Sequence, residues 1–157
     1  MRHEIIPIPS ELSFEVTSNS GQELVEAAEA KLDKLPVIKA LLHNLQAAHL
    51  PSYYHCLRVG EVASSLAEDE TDADSLFVSG VLHDIGKSYP GIPELLDKPG
   101  QLTAEQIQIV HIHSAYGMDE IVRVLERLAS GSTESQDLAR AAFVAYCHHT
   151  NLGSWNR

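Results

Sequence analysis

Six histidines and one aspartate are the residues of this chain best suited to chemistry. His83 and Asp84 are adjacent in SGVLHDIGKSYPG, residues 79–91. His55 precedes them, His111 and His113 follow within VHIHS, and His148 and His149 close the segment AYCHH. Nine histidines in 157 residues is a high count, and the other three, His3, His43 and His49, are scattered. Imidazole nitrogen and carboxylate oxygen are ligands for divalent zinc, iron, manganese and nickel. A carboxylate has two oxygens and can bridge two cations, whereas one imidazole terminates one. A single aspartate among several histidines therefore points to two metals sharing a bridge. Such a pair can generate a hydroxide and clamp both oxygens in a phosphoryl displacement.

Each piece taken singly has an ordinary explanation. A lone histidine on a helix is usually a core or surface residue. His83 with Asp84 reads equally well as a helix C-terminal cation beside a solvated acid, and His148 with His149 as surface. Only the joint pattern points to metal. His111 and His113, two apart on a helix, point to different faces, and the residues alone do not choose between them.

The elements that must position these side chains follow from helical periodicity. Residues 1–21 hold Pro, Ser and Gly and read as an arm, with SFEVTS as a short extended piece. Leu24, Ala27, Ala28, Leu32 and Leu35 form one helical stripe. Pro36 suits the first turn of the next helix, and Pro51 opens another, whose apolar face is Leu57, Val59, Val62, Ala63 and Leu66. Thr71 is the expected N-cap of the helix ending at His83-Asp84, with Gly86 at its C′ position. Residues 89–100 read as a loop with one helical turn. Thr103 and Gln106 make a capping box opening a helix to about Leu128, and Thr133 with Gln136 repeats it for the last helix. The expected fold is all-α, a compact bundle of six or seven helices. The histidines fall on four helices or helix ends, and a bundle folded back on itself would bring them together.

Bulk properties narrow the class further. The length suits one domain, divided here as the arm 1–21 and a helical domain 22–157. No apolar run approaches the ~20 residues of a membrane helix. The N-terminus lacks a signal-peptide core and carries Glu4 and Glu11, so a cytoplasmic protein with no membrane partner is expected. Cys56 and Cys147 read as thiols in or near the core, not as a disulfide framework. The formal charge of −11 argues against sequence-independent nucleic-acid binding, while leaving room for a small phosphorylated substrate beside a bound metal.

Five segments carry a more specific resemblance: HCLRVGEVA from His55, GVLHDIGK from Gly80 to Lys87, IPELLDKPGQLTAEQ from Ile92 to Gln106, HSAYG from His113 to Gly117, and AYCHH from Ala145 to His149. Over about two thirds of its length the chain resembles the HD superfamily of metal-dependent phosphohydrolases, and within it the HD-GYP branch. The resemblance implies an HD-type helical bundle and two divalent cations, of iron, manganese, zinc, nickel or magnesium. It places the ligands at His55, His83, Asp84, His113, His148 and His149, with Asp84 as the bridge. It chooses His113 over His111, because the ligand falls eleven residues after Leu102. It implies catalytic roles for Asp84 and Lys87 and phosphate binding by Lys87, Lys98 and Arg58. Arg58 lies one turn after His55 and can reach the same site; as ordinary surface cations, Arg58 and Lys98 would instead pair with acids.

The implied function is hydrolysis of a nucleotide or cyclic nucleotide phosphate bond by a two-metal-activated hydroxide. The implied partners are that nucleotide and a second copy of the chain or a signalling protein. Two other functions fit the same residues: a non-catalytic metal- or nucleotide-binding signalling module, and an HD-type di-iron oxygenase. Three departures qualify the match. The tail reads HHTNLGSWNR where the branch has HHE followed by a GYP motif, so Thr150 replaces a Glu and binding of cyclic diguanylate or a cyclase is not carried over. The superfamily also takes a last Asp ligand from a helix beyond this point. Here it is expected from further chain, from Asp137 or Glu134, or from a partner chain, or else the metal site is incomplete. Finally, Pro51 stands where three-metal members have a Glu, which favours two cations.

Overall fold

A computed structural model describes residues 18–128 and 131–149. Among these residues the chain is all-α, with no strand. Its helices are α1 (Ser18–Leu32), α2 (Pro36–Ala48), α3 (Leu50–Ser65), α4 (Glu70–Leu82), α5 (Ile92–Leu96), α6 (Ala104–His111), α7 (His113–Leu125) and α8 (Thr133–Cys147), with a 3-10 turn at Ile85–Ser88 between α4 and α5. Residues 18–21, expected in the arm, belong to α1; the rest of the arm lies outside the described residues. None of the described helices is long and apolar enough to cross a membrane.

Helix α4 is the central element. Phe77 to Leu82 are buried without interruption, as expected of a helix enclosed on every side. It packs between α3 and α8, with α7 against α8 and α1 against α3. Leu32, Leu45, Leu57, Ile121 and Leu138 join it in one core. Pro36 occupies the first turn of α2, as its fixed φ and missing N–H favour.

The helix ends differ in part from expectation. Asp69 rather than Thr71 caps α4: its carboxylate accepts from the Asp72 N–H at 2.9 Å, and an anion there also complements the helix dipole. Ser132 rather than Thr133 caps α8, its hydroxyl accepting from the Ser135 N–H at 3.2 Å. The Thr103–Gln106 capping box is present, with Thr103 N–H donating to Gln106 Oε1 at 3.0 Å and Gln106 N–H to Thr103 Oγ1 at 3.3 Å. The helix it opens does not run unbroken. At Ile112 the ladder tightens, with Ile112 N–H bonding Ile109 O at 3.2 Å and Ala115 N–H bonding Ile112 O at 3.0 Å. That one 3-10 turn separates α6, which buries no residue, from α7, which buries His113, Gly117 and Ile121.

Gly86 does not take the left-handed C′ position expected of it. Among the described residues the positive-φ glycines are Gly91, Gly100 and Gly131. Gly86 lies inside the 3-10 turn, where a Cβ would collide with the His113 carbonyl and lie 2.5 Å from Gly117 N. Its lack of a side chain lets the turn lie directly on α7. A second close approach joins α3 to α4, where a Cβ on Gly80 would lie 2.7 Å from Gly60 Cα. These two backbone contacts flank the segment carrying His83 and Asp84.

Candidate metal centre

Helix α4 ends at Leu82, with His83 as its C-cap, and Asp84 follows at φ −109°, ψ 13° before the 3-10 turn. The Asp84 side chain is only 3 % exposed. Its Oδ1 lies 3.1 Å from His113 Nε2 and 3.2 Å from His148 Nε2. Its Oδ2 lies 3.2 Å from His83 Nε2, 3.8 Å from His55 Nε2 and 2.5 Å from Lys87 Nζ. The two oxygens of one buried carboxylate thus face different sets of imidazoles.

Three of the rings are held in the same way. The Nδ1 atoms of His83, His113 and His148 bond the carbonyls of Gly80, Val110 and Ala145 at 2.7, 2.5 and 2.8 Å. Each carbonyl belongs to the residue three positions earlier. An Nδ1–H donated to backbone fixes the tautomer and leaves the Nε2 lone pair directed at Asp84. His113 Nε2 and His148 Nε2 are then 3.1 Å apart, two lone pairs and a carboxylate oxygen converging with no proton of their own to share. Donor atoms around a cation at about 2.0–2.2 Å sit roughly 2.9–3.5 Å from one another. The donor set therefore fits a divalent cation.

His149 completes this set. Its ring centroid lies 4.1 Å from that of His148 and 4.9 Å from that of His113. Ligand atoms of Asp84, His113, His148 and His149 lie within 4.8 Å of one another, as do those of His55, His83 and Asp84, so Asp84 belongs to both groups.

The electrostatics suit ligation. Burial pushes the Asp84 carboxyl up, but the surrounding His113, His148 and His83 rings outweigh it and hold the group well below the usual carboxylate range. Burial, followed by the neighbouring His148 and His113, lowers His149 to about 4. Burial and then His83 lower His55. Ionised carboxylate and neutral imidazole are the forms that bind metal.

The structure thus gathers His55, His83, Asp84, His113, His148, His149 and Lys87. Arg58 stands beside them, close enough to lower His55 by charge repulsion, and makes no ion pair among the described residues. Lys98 is exposed and donates to Gln106 Oε1 at 2.8 Å, on the capping box of α6; no contact joins it to the cluster among the described residues. His111 is exposed and stacks on His149 at 5.3 Å, on the outside of the set. Glu134 and Asp137 lie in the first turns of α8, and Asp137 is eleven residues, roughly 16 Å of helix rise, from His148. Residues 150–157, with Thr150 and the rest of the divergent tail, lie outside the described residues.

Two contributors were not visible in the sequence. The carbonyls of Gly80, Val110 and Ala145 carry no side-chain signal beyond standing three residues before each ring. His49, read as scattered, caps α3, its Nδ1 accepting from Ser52 N–H at 3.2 Å while Nε2 meets Asp97 Oδ1 at 3.2 Å.

An all-α domain in which histidines from separate helices converge on one buried helix-end aspartate belongs to a class of helical metal-binding domains. The chain is a member of the HD domain family, whose profile matches residues 52–156. It is 35% identical over 106 residues to a "Cyclic di-GMP phosphodiesterase" of Thermotoga maritima, covering 64% of this chain and 26% of that protein. It is 37% identical over 57 residues to a "Probable nicotinate-nucleotide adenylyltransferase/Ap4A hydrolase" of Mycoplasma genitalium, covering 36% of this chain and 15% of that protein. The chain therefore spans about a quarter or less of the length of these curated relatives. No solved structure matches it.

Proposed function

We propose that this domain is a phosphohydrolase that uses two divalent cations to cleave a phosphate bond of a nucleotide or cyclic nucleotide. The observation that carries the reading is the division of Asp84, with Oδ1 toward His113 and His148 and Oδ2 toward His83 and His55. In this reading His113, His148 and His149 hold one cation, His55 and His83 hold the other, and Asp84 is shared. Bound there, the cations supply Lewis acidity toward phosphate oxygens and lower the pKa of water. Lys87 places a cation at the Oδ2 edge, and Arg58, one turn after His55 on α3, adds another nearby. Together they offset the repulsion between a phosphate and a chain of net charge −11. Lys98 would first have to release Gln106. Relatives named for hydrolysis of cyclic di-GMP and Ap4A support a nucleotide substrate.

The test is metal content by mass spectrometry with hydrolysis of bis-(p-nitrophenyl) phosphate in Mn²⁺ or Fe²⁺. Retained metal and turnover are expected; a protein that holds no metal and cleaves nothing overturns the reading. A non-catalytic nucleotide-binding module is the second reading, favoured by the Lys87 ammonium 2.5 Å from Asp84 Oδ2, which already balances that oxygen's charge. Metal and nucleotide binding without turnover would support it. Oxygen consumption without phosphate release would instead support the oxygenase.

A further inference from the structure

We propose that a cavity between α2, the 3-10 turn and α7 is a second small-molecule site, and that its ligand is an uncharged planar heterocycle such as a nucleoside. The cavity measures about 530 Å³, within the roughly 300–1,000 Å³ of typical ligand pockets. It borders the turn that carries Lys87, through Gly86 and Ser88, yet no residue of the Asp84 cluster lines it. It is therefore separate from the candidate metal centre, and its occupancy does not depend on the phosphohydrolase reading.

Three features define the ligand class. The first is an aromatic wall: Tyr89 and Tyr116 both line the cavity and stack with centroids 3.5 Å apart and planes 6° apart. Each ring covers the other's inner face, so a flat π-system would stack on the outer face of the pair, whatever its identity. The second is Asn44 of α2, an exposed residue that lines the cavity and makes no hydrogen bond among the described residues. It offers one acceptor and two donors to the polar edge of a heterocycle. The third is charge. Arg123 is the one cation in the lining, and it is held by Asp119 at 2.6 Å with Glu120 at 3.9 Å. Two carboxylates against one committed guanidinium leave the lining net negative. A phosphate would have to compete with Asp119 for Arg123 while facing Glu120, so the site rejects nucleotides and accepts nucleosides or free bases. That preference is the opposite of the one proposed for the Asp84 cluster.

The experiment is saturation-transfer NMR on the full chain, titrated with guanosine and adenosine and, separately, with their 5′-monophosphates. Only transfer removed by Tyr89→Ala is assigned to this cavity, because a monophosphate can also bind at the metals. Nucleoside binding is expected, weakened roughly tenfold or more by Tyr89→Ala, as loss of a stacking ring predicts, and weakened also by Asn44→Ala. Metal content should be unchanged in both variants. Monophosphates should show no Tyr89-dependent binding until Asp119→Asn and Glu120→Gln are combined to release Arg123. The proposal is overturned if neither nucleoside shows transfer at millimolar concentration, if binding survives both Tyr89→Ala and Asn44→Ala, or if monophosphates bind the unaltered cavity as well as nucleosides do.

Discussion

His113 Nε2 and His148 Nε2 face each other across 3.1 Å, while the Nδ1 atom of each ring is engaged by the backbone carbonyl three residues before it. Two bases in that relationship, with a carboxylate oxygen as the third corner, hold an arrangement that a shared cation stabilises and that hydrogen bonding among themselves does not.

Asp84 is the residue both ligand groups require. Asp84→Asn removes the charge while nearly preserving shape. Metal affinity should fall by more than the roughly 10–100-fold that loss of a supporting group costs, while far-ultraviolet circular dichroism stays helical. Isothermal titration with Mn²⁺ or Zn²⁺ measures this, and full retention of metal would remove the bridging assignment.

Lys87 shares the Oδ2 edge with any cation bound there. Lys87→Met keeps an unbranched side chain, one heavy atom shorter, and removes the ammonium. Metal affinity should hold or rise, because one competitor for Asp84 is gone, while phosphodiester turnover drops at least about tenfold for want of charge near the phosphate. A parallel loss of both would place Lys87 in a structural role only.

The glycine contacts offer a graded probe. A Cβ at Gly117 would sit 3.2 Å from Gly86 N and 3.3 Å from Ile85 Cγ2, so the turn must shift by a few tenths of an ångström. Replacing a helical Gly by Ala gains up to about 1 kcal/mol in propensity, which offsets much of that cost. Gly117→Ala should melt near the parent temperature yet bind metal more weakly. Gly80→Ala places its methyl 2.7 Å from the Gly60 backbone, where nothing can swing aside. Overpacking of this kind costs about 1–3 kcal/mol, and a lower thermal midpoint is expected. Equal behaviour of the two variants would contradict this account.

His49 is a structural histidine. His49→Ala removes the cap of α3 and the link to Asp97, and should cost about 0.5–2 kcal/mol in urea unfolding. Metal content should not change. Loss of metal in this variant would show that the start of α3 matters to the position of His55.

Cys56 is fully buried beside His55 in sequence, and burial is the main cause that pushes its thiol up to about 12. The folded chain keeps that proton at pH values where the unfolded chain, near pKa 8.5, has lost it. The unfolded state then binds fewer protons, so stability falls as pH rises from about 9 toward 12. Cys56→Ala should flatten that part of the profile. Below pH 8.5, alkylation of Cys56 should track global unfolding; rapid labelling of the native chain would contradict its burial.

The candidate ligands could be picked out in the sequence because HDIGK joins a helix end to a carboxylate in five residues, while the choice of His113 over His111 came from the family resemblance and not from the local pattern. The helix ends were less legible. Asp69, Thr71, Ser132 and Thr133 are all good caps, and choosing among neighbours depends on where the chain turns, which packing decides. Gly86 was visible as a glycine, but its reason was not: the sequence suggests a positive φ, and the fold uses it for contact with α7. The break at Ile112 was hidden because Ile109, Ile112 and the flanking residues continue a helical pattern, while the need to bury His113 redirects the chain. His49 escaped notice because histidine is not among the favoured caps.

The three anchored imidazoles also bear on kinetics. Rings already fixed by Gly80, Val110 and Ala145 have little conformational search left when an ion arrives. The slow step of loading then becomes the ion's surrender of its own water. Cations that dehydrate reluctantly, Mg²⁺ among them, should enter more slowly than Mn²⁺ or Zn²⁺, so in a mixed pool the first occupant is chosen by exchange rate before affinity has time to sort them.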